Sequence, residues 1–273
     1  MLVGHEEKVK IFKNLIEKDS LSHGYLFFGE PYVGKSTFAL ALANALEKGI
    51  FDIPTVILSE NLFVKPEGDS IGIDQIREVK HFLSQKVSLA KRRSVVIDQA
   101  DKLTPQAQNA VLKITEEAPE KGLIILVATN PENLLPTLRS RVQSVHFGNV
   151  AQDKIIELLE TETDLTKQKA KDVAVLSLGK PGLALSMIKD EKYKEGSSLA
   201  AEYIKGKAKR REVAERLTEE PELLDIFIRS LLAELSKKPL VNYKLMSKLL
   251  DRVGQMQTFS TNKRLQLESA LWI

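Results

Sequence analysis

The clearest chemistry in this chain is carried by one unbroken stretch, Gly29-Glu30-Pro31-Tyr32-Val33-Gly34-Lys35-Ser36. The spacing G-x-x-x-x-G-K-[ST] suits a loop whose backbone N–H groups converge on phosphate oxygens. Its glycines permit close approach, and a helix that follows adds the partial positive charge of its N-terminus. Lys35 is placed to reach the β- and γ-phosphates of ATP, or the β-phosphate of ADP, and the Ser36 hydroxyl to ligate Mg2+. A second stretch, Ser94-Val95-Val96-Ile97-Asp98, reads as a buried strand ending in a carboxylate. Asp98 would hold the same Mg2+, through water. The next residue is Gln99. A neutral amide can orient a water molecule but cannot take its proton.

These residues need elements to hold them. Apolar runs of strand character fall at 25–28, 55–58, 94–97, 123–128 and, more weakly, 142–147. Between them lie segments of helical periodicity at 36–46, 74–86 and 105–117. Strands apolar on both sides suit a parallel sheet covered by helices above and below. The alternation therefore predicts an α/β domain over 1–148, with the phosphate loop joining its first strand to a helix. Thr104-Pro105 offers a hydroxyl N-cap and a proline at the first helical position. Strand signals stop after Gly148. Short amphipathic helices are expected at 152–160, 167–178 and 182–189, and a polar, strongly charged stretch occupies 190–211. Helical spacing returns at 221–236, 242–255 and 262–272. The expected organisation is an α/β domain, a small helical domain over 149–192 and a helical C-terminal domain over 193–273.

Composition narrows the class of function. Over 273 residues, 43% hydrophobic and 28% charged content is ordinary for a soluble globular protein. A net charge of +3 argues neither for nor against nucleic acid. Contact with DNA would have to come from local patches such as Lys91-Arg92-Arg93 or the basic run over 205–211, which read more simply as solvated surface. The chain has no cysteine, which removes disulfides, cysteine-ligated zinc and a cysteine nucleophile. His5, His23, His81 and His146 lack metal-ligand spacing. The first residues lack the basic-then-apolar order of a secretory signal. The longest apolar run, 123–128, is too short to span a bilayer. A cytoplasmic protein with no membrane partner is expected.

Longer stretches are more specific. Leu21-Ser22-His23-Gly24-Tyr25-Leu26-Phe27 resembles the Leu-x-His-Ala-Tyr-Leu-Phe lead-in of bacterial clamp-loader subunits, which belong to the AAA+ family. Ile71-Gly72-Ile73-Asp74-Gln75-Ile76-Arg77 and Asp98-Gln99-Ala100-Asp101-Lys102-Leu103-Thr104 are similar to further segments of that family. The likeness continues through Gln108-Asn109-Ala110-Val111-Leu112-Lys113-Ile114-Thr115-Glu116-Glu117. Asn262-Lys263-Arg264-Leu265-Gln266-Leu267-Glu268-Ser269-Ala270-Leu271 resembles the final collar helix of the delta-prime type. The resemblance implies an AAA+ nucleotide-binding domain, a helical lid over 149–192 and a collar over 193–273.

It also implies roles for particular residues. Gly29, Pro31, Val33, Gly34, Lys35, Ser36 and Thr37 would surround the nucleotide together with Asp98. Ala128-Thr129-Asn130 resembles the first sensor, so Asn130 would face the γ-phosphate or its attacking water. Leu138-Arg139-Ser140-Arg141-Val142 is similar to the serine-arginine-cysteine motif, with Val142 in place of the cysteine. Arg141 would then reach the nucleotide of a neighbouring subunit. Hydrolysing members carry a glutamate at the position of Gln99, and motor subunits an arginine at that of Gly182. Leu178-Gly179-Lys180-Pro181-Gly182 has the glycine form common in delta-prime subunits. No zinc module is expected. The adenine-contacting segment of the family starts a few residues before Val3-Gly4-His5-Glu6.

The implied function is that of a delta-prime-like subunit associated with DNA polymerase III. It would bind ATP and Mg2+ with little turnover and present Arg141 to a gamma- or tau-type motor subunit. The delta subunit, the sliding clamp and primed DNA are the other implied partners. Two alternatives stay open: a gamma-type ATPase motor, and an AAA+ adaptor outside replication.

Overall fold

The computed structural model describes residues 2–117, 119–236 and 239–258. The chain divides into two compact units, Met1–Leu165 with Leu178–Leu183, and Thr166–Ser177 with Ala184–Ile273.

The first unit runs α1 (Glu6–Glu17), β1 (Gly24–Phe28), α2 (Lys35–Lys48), β2 (Asn61–Val64), α3 (Ile73–Ser84), β3 (Arg93–Ile97), α4 (Pro105–Glu116), β4 (Gly122–Ala128), α5 (Pro136–Arg139), β5 (Gln143–His146) and α6 (Gln152–Glu162). Its described strands form one five-stranded sheet in the order β2-β3-β4-β1-β5. Every pairing is parallel. Alternation along the strands explains why both faces are apolar. Leu26, Val95, Ile97, Ile124 and Leu126 point to one face and pack with Ile76, Val79, Val111 and Ile114 of α3 and α4. Tyr25, Phe27, Val96, Ile125 and Val127 point to the other and pack with Phe12 of α1 and Phe38 and Leu42 of α2. All seven residues of β4 are buried, as a central strand covered on both sides requires.

One expected strand is displaced. Residues 55–58 form no strand, and Ile57 is 98% exposed. The edge strand is Asn61–Val64, in register with Ser94–Ile97, where the Asn61 amide donates to Ser94 Oγ at 2.9 Å. Pairing with β3 outweighs the greater apolarity of 55–58. The first helix, α1, carried no sequence expectation.

The second unit holds α7 (Lys167–Leu176), most of α8 (Pro181–Lys189), α9 (Glu191–Ile204), α10 (Arg210–Glu219), α11 (Pro221–Ser236) and α12 (Pro239–Thr258). The charged stretch 190–211 is largely α9, capped by Asp190, whose carboxylate accepts from Lys192 N–H at 2.9 Å. Its packing face is made of small and aromatic residues. A Cβ on Gly196 would come within 2.7 Å of Ile226 Cγ2, and Tyr203 packs edge-on to Phe227 at 5.9 Å. The helix expected at 262–272 lies outside the described residues.

Candidate functional site

The phosphate loop leaves β1 through a crowded point. Gly29 has φ 143°, and a Cβ there would stand 2.2 Å from the Phe147 carbonyl oxygen, so only glycine fits. Tyr32 takes a left-handed φ of 67°, unusual for a residue with a side chain. Its carbonyl accepts from the Gly182 N–H at 2.9 Å. Gly34, φ 97°, then opens α2. The Lys35 ammonium turns back under the loop and donates to the carbonyls of Gly29 at 2.7 Å and Glu30 at 2.6 Å. Burial lowers the Lys35 pKa, against the opposing pull of Asp98, Asp101 and Glu30. Ser36 Oγ donates to Asp98 Oδ1 at 2.6 Å, so the hydroxyl at the start of α2 and the carboxylate after β3 converge.

These groups open on a cavity of about 560 Å³. Pro31, Gly34, Lys35, Ser36, Thr37 and Asp98 line it, together with Gln99 and Gly182. Phosphates laid along the loop would meet the Lys35 ammonium and the α2 N-terminus, and Ser36 with Asp98 is a hydroxyl–carboxylate pair suited to Mg2+. The donor set therefore fits a magnesium nucleotide, whose bound cation would supply charge neutralisation at the phosphates.

Other expected contacts fall differently. Gly29 does not line the cavity; its carbonyl accepts from the Lys35 ammonium instead. Val33 is wholly buried, and its carbonyl accepts from His5 Nε2 at 2.9 Å. Asn130 does not line the cavity: it is exposed, and its side-chain oxygen accepts from Glu132 N–H at 3.0 Å, capping the short turn Pro131–Asn133. Thr129 occupies the wall instead. An asparagine directly before a proline-led turn is drawn into capping it, and that signal was present in Asn130-Pro131.

Two departures from the family pattern acquire geometry. Gln99 sits at φ 52° in the cavity wall and starts the turn Ala100–Lys102. A Cβ on Gly182 would lie 3.0 Å from the Tyr32 carbonyl oxygen, and Lys180 pairs with Glu30 at 3.1 Å. The segment 180–182 thus rests directly on the phosphate loop. His5 supports the loop from below: its ring packs edge-on against Phe147 at 4.8 Å. Burial lowers its pKa, with the Val33 carbonyl opposing.

Arg141 lies just past α5. One terminal nitrogen contacts Glu116 Oε1 at 2.6 Å, and the other donates to the Thr137 carbonyl at 3.2 Å. The Arg141 and Glu116 side chains are each 41% exposed. Val142 beside it is buried, and a Cβ on Gly24 would meet Val142 Cγ1 at 2.8 Å. Glycine where the lead-in pattern has alanine thus makes room for valine where the arginine motif has cysteine.

The patch Lys91-Arg92-Arg93 is corrected by the structure: Arg92 and Arg93 are buried. Arg93 pairs with Glu60 at 2.6 Å and stacks on Phe82, and Arg92 reaches Asp19 at 3.4 Å. Basic residues leading into a strand were recruited as interior braces rather than solvated. Among the described residues, no helix is long and apolar enough to cross a membrane, and no group of three His, Cys, Asp or Glu side chains is placed to hold a metal ion.

The chain is 34% identical over 181 residues to a replication factor C small subunit of Methanococcus maripaludis, covering 64% of this chain and 55% of that protein. It is 32% identical over 178 residues to the DNA polymerase III subunit delta' of Bacillus subtilis, covering 61% of this chain and 54% of that one. The matched region spans about half the length of these curated relatives. A solved gamma subunit-related protein of DNA polymerase III from Thermotoga maritima superposes with a TM-score of 0.57 at 27% identity, over 96% of this chain and 97% of its own. The family described as DNA polymerase III, delta subunit, matches residues 4–151, more than half of the sequence. With a phosphate loop, a parallel AAA+ sheet and this match in agreement, the chain belongs to that family of clamp-loader subunits.

Proposed function

We propose that this chain works as a delta-prime-type subunit of a replicative clamp loader, binding ATP and Mg2+ with little turnover and completing the site of a neighbour. The observation that carries the reading is Arg141, half exposed and held by Glu116 and Thr137, on a chain whose own cavity presents Gln99. Arg141 is offered to ATP on an adjacent gamma- or tau-type subunit. There a guanidinium stabilises charge on the transferring phosphoryl. Residues 149–192 serve as the lid and 193–273 as the collar. The delta subunit, the sliding clamp and primed DNA complete the assembly.

The test is ATP turnover by the reconstituted loader with clamp and primed DNA. Arg141→Ala is expected to lower turnover on the order of 10²-fold or more, at unchanged subunit composition. Unchanged turnover would remove the trans role. A gamma-type motor is the second reading, favoured by the intact Ser36–Asp98 pair. Brisk hydrolysis by the isolated chain, lost in Lys35→Ala, would support it instead.

A further inference from the structure

We infer that Glu116 is a positioning residue for Arg141: it sets where the guanidinium points before a neighbour's nucleotide arrives. The inference rests on the trans role proposed above and extends it to a residue outside the arginine motif. An arginine side chain has several rotatable bonds, and a free one samples many directions at comparable energy. A group that must meet a phosphoryl oxygen within a few tenths of an ångström gains rate when its direction is fixed beforehand.

Two anchors fix it here. Glu116 Oε1 contacts one terminal nitrogen at 2.6 Å, and the Thr137 carbonyl takes a hydrogen bond from the other at 3.2 Å. Both terminal nitrogens carry a second hydrogen, and Nε carries one, so three N–H groups remain for an incoming phosphate. The anchors come from different elements. Glu116 is the last residue of α4, and Thr137 lies in α5. They also differ in kind. The carbonyl belongs to the backbone and survives any substitution, whereas the carboxylate can be removed. An exposed ion pair such as this one contributes little to stability, so its removal leaves the fold and tests direction alone.

The experiment uses the reconstituted loader with clamp and primed DNA, measuring kcat and KM for ATP, complex composition and Tm. In complexes where Arg141→Ala lowers kcat, Glu116→Ala is expected to lower kcat about 3- to 10-fold with KM, composition and Tm unchanged. Glu116→Gln keeps an acceptor oxygen at the same reach and is expected to recover most of the loss. Combined with Arg141→Ala, Glu116→Ala is expected to add no further loss, because both act through one guanidinium. Full kcat in Glu116→Ala, or a rise in kcat, would overturn the inference while leaving the trans arginine standing. A loss in Glu116→Ala that persists undiminished on the Arg141→Ala background would overturn it too. If Arg141→Ala has no effect on turnover, the trans role and this inference fall together.

Discussion

At the phosphate loop the polar groups are already engaged within the chain. The Lys35 ammonium holds two loop carbonyls, Ser36 holds Asp98, and the Tyr32 carbonyl is taken by Gly182. At Arg141 a guanidinium stands half exposed, directed by one carboxylate and one backbone carbonyl. The first region is built from backbone geometry and burial, and it admits only glycine at position 29. The second is a surface charge whose value depends on what meets it. On the proposed reading, binding is completed inside one chain, whereas the arginine acts on something brought to it.

Of the effects on the isolated chain, the largest separates the two regions. Lys35→Ala removes a charged donor and should weaken nucleotide binding by the isolated chain about 10- to 100-fold, the loss typical of a hydrogen bond to a charged group. Titration with a fluorescent ATP analogue measures it. If the regions are separable, the same variant leaves Arg141-dependent turnover of the reconstituted loader largely intact. A collapse of that turnover would join them. A smaller effect probes the seat of the arginine. Gly24→Ala should destabilise the chain by about 1–3 kcal/mol through overpacking against Val142. Adding Val142→Ala should return part of that loss, since the clash disappears. Urea denaturation of both single variants and the double variant reads the coupling. Additivity would mean that the contact at 2.8 Å relaxes freely.

The smallest effect concerns acid. Burial lowers the His5 pKa below its usual 6.5, so the unfolded chain binds more protons than the folded one as pH falls through that region. Stability present above pH 6.5 is therefore lost on acidification. The charged neighbours pull in opposite senses, Lys8 lowering the His5 pKa and Glu6 raising it. His5→Asn should show a shallower loss of Tm between pH 7 and 5. An equal slope in both proteins would place the acid sensitivity elsewhere.

The phosphate loop was legible because its residue types sit at fixed spacing next to a strand and a helix. Asp98 and Gln99 were legible for the same reason. Thr129 was not: two adjacent polar residues follow β4, and only the turn after them decides which one faces the cavity. The edge strand was misplaced because local apolarity favoured 55–58, while pairing with β3 selects Asn61–Val64. The helix α9 escaped notice because it packs through Gly196, Ala200 and two tyrosines, residues that make a weak apolar stripe. Arg92 and Arg93 carried no sign of burial, since the acids that pair with them lie far away in sequence. The link from Glu116 to Arg141 was hidden likewise, although both residues stood in stretches that resemble the family.

The helix α4 joins these two ends of the story mechanically. Its twelve residues measure about 18 Å. Capped by Thr104, it begins just after the turn that follows Gln99 and ends on Glu116, the carboxylate that holds Arg141. Near its start, the Gln108 amide oxygen accepts from Leu135 N–H at 2.7 Å while its nitrogen donates to the Asn133 carbonyl, fastening the rod to the segment that carries the arginine. A strut of that length and stiffness hands a shift at one end to the other without bending. In the assembly proposed above, timing from one subunit to the next would then be a matter of where each strut stands, with no helix needing to melt.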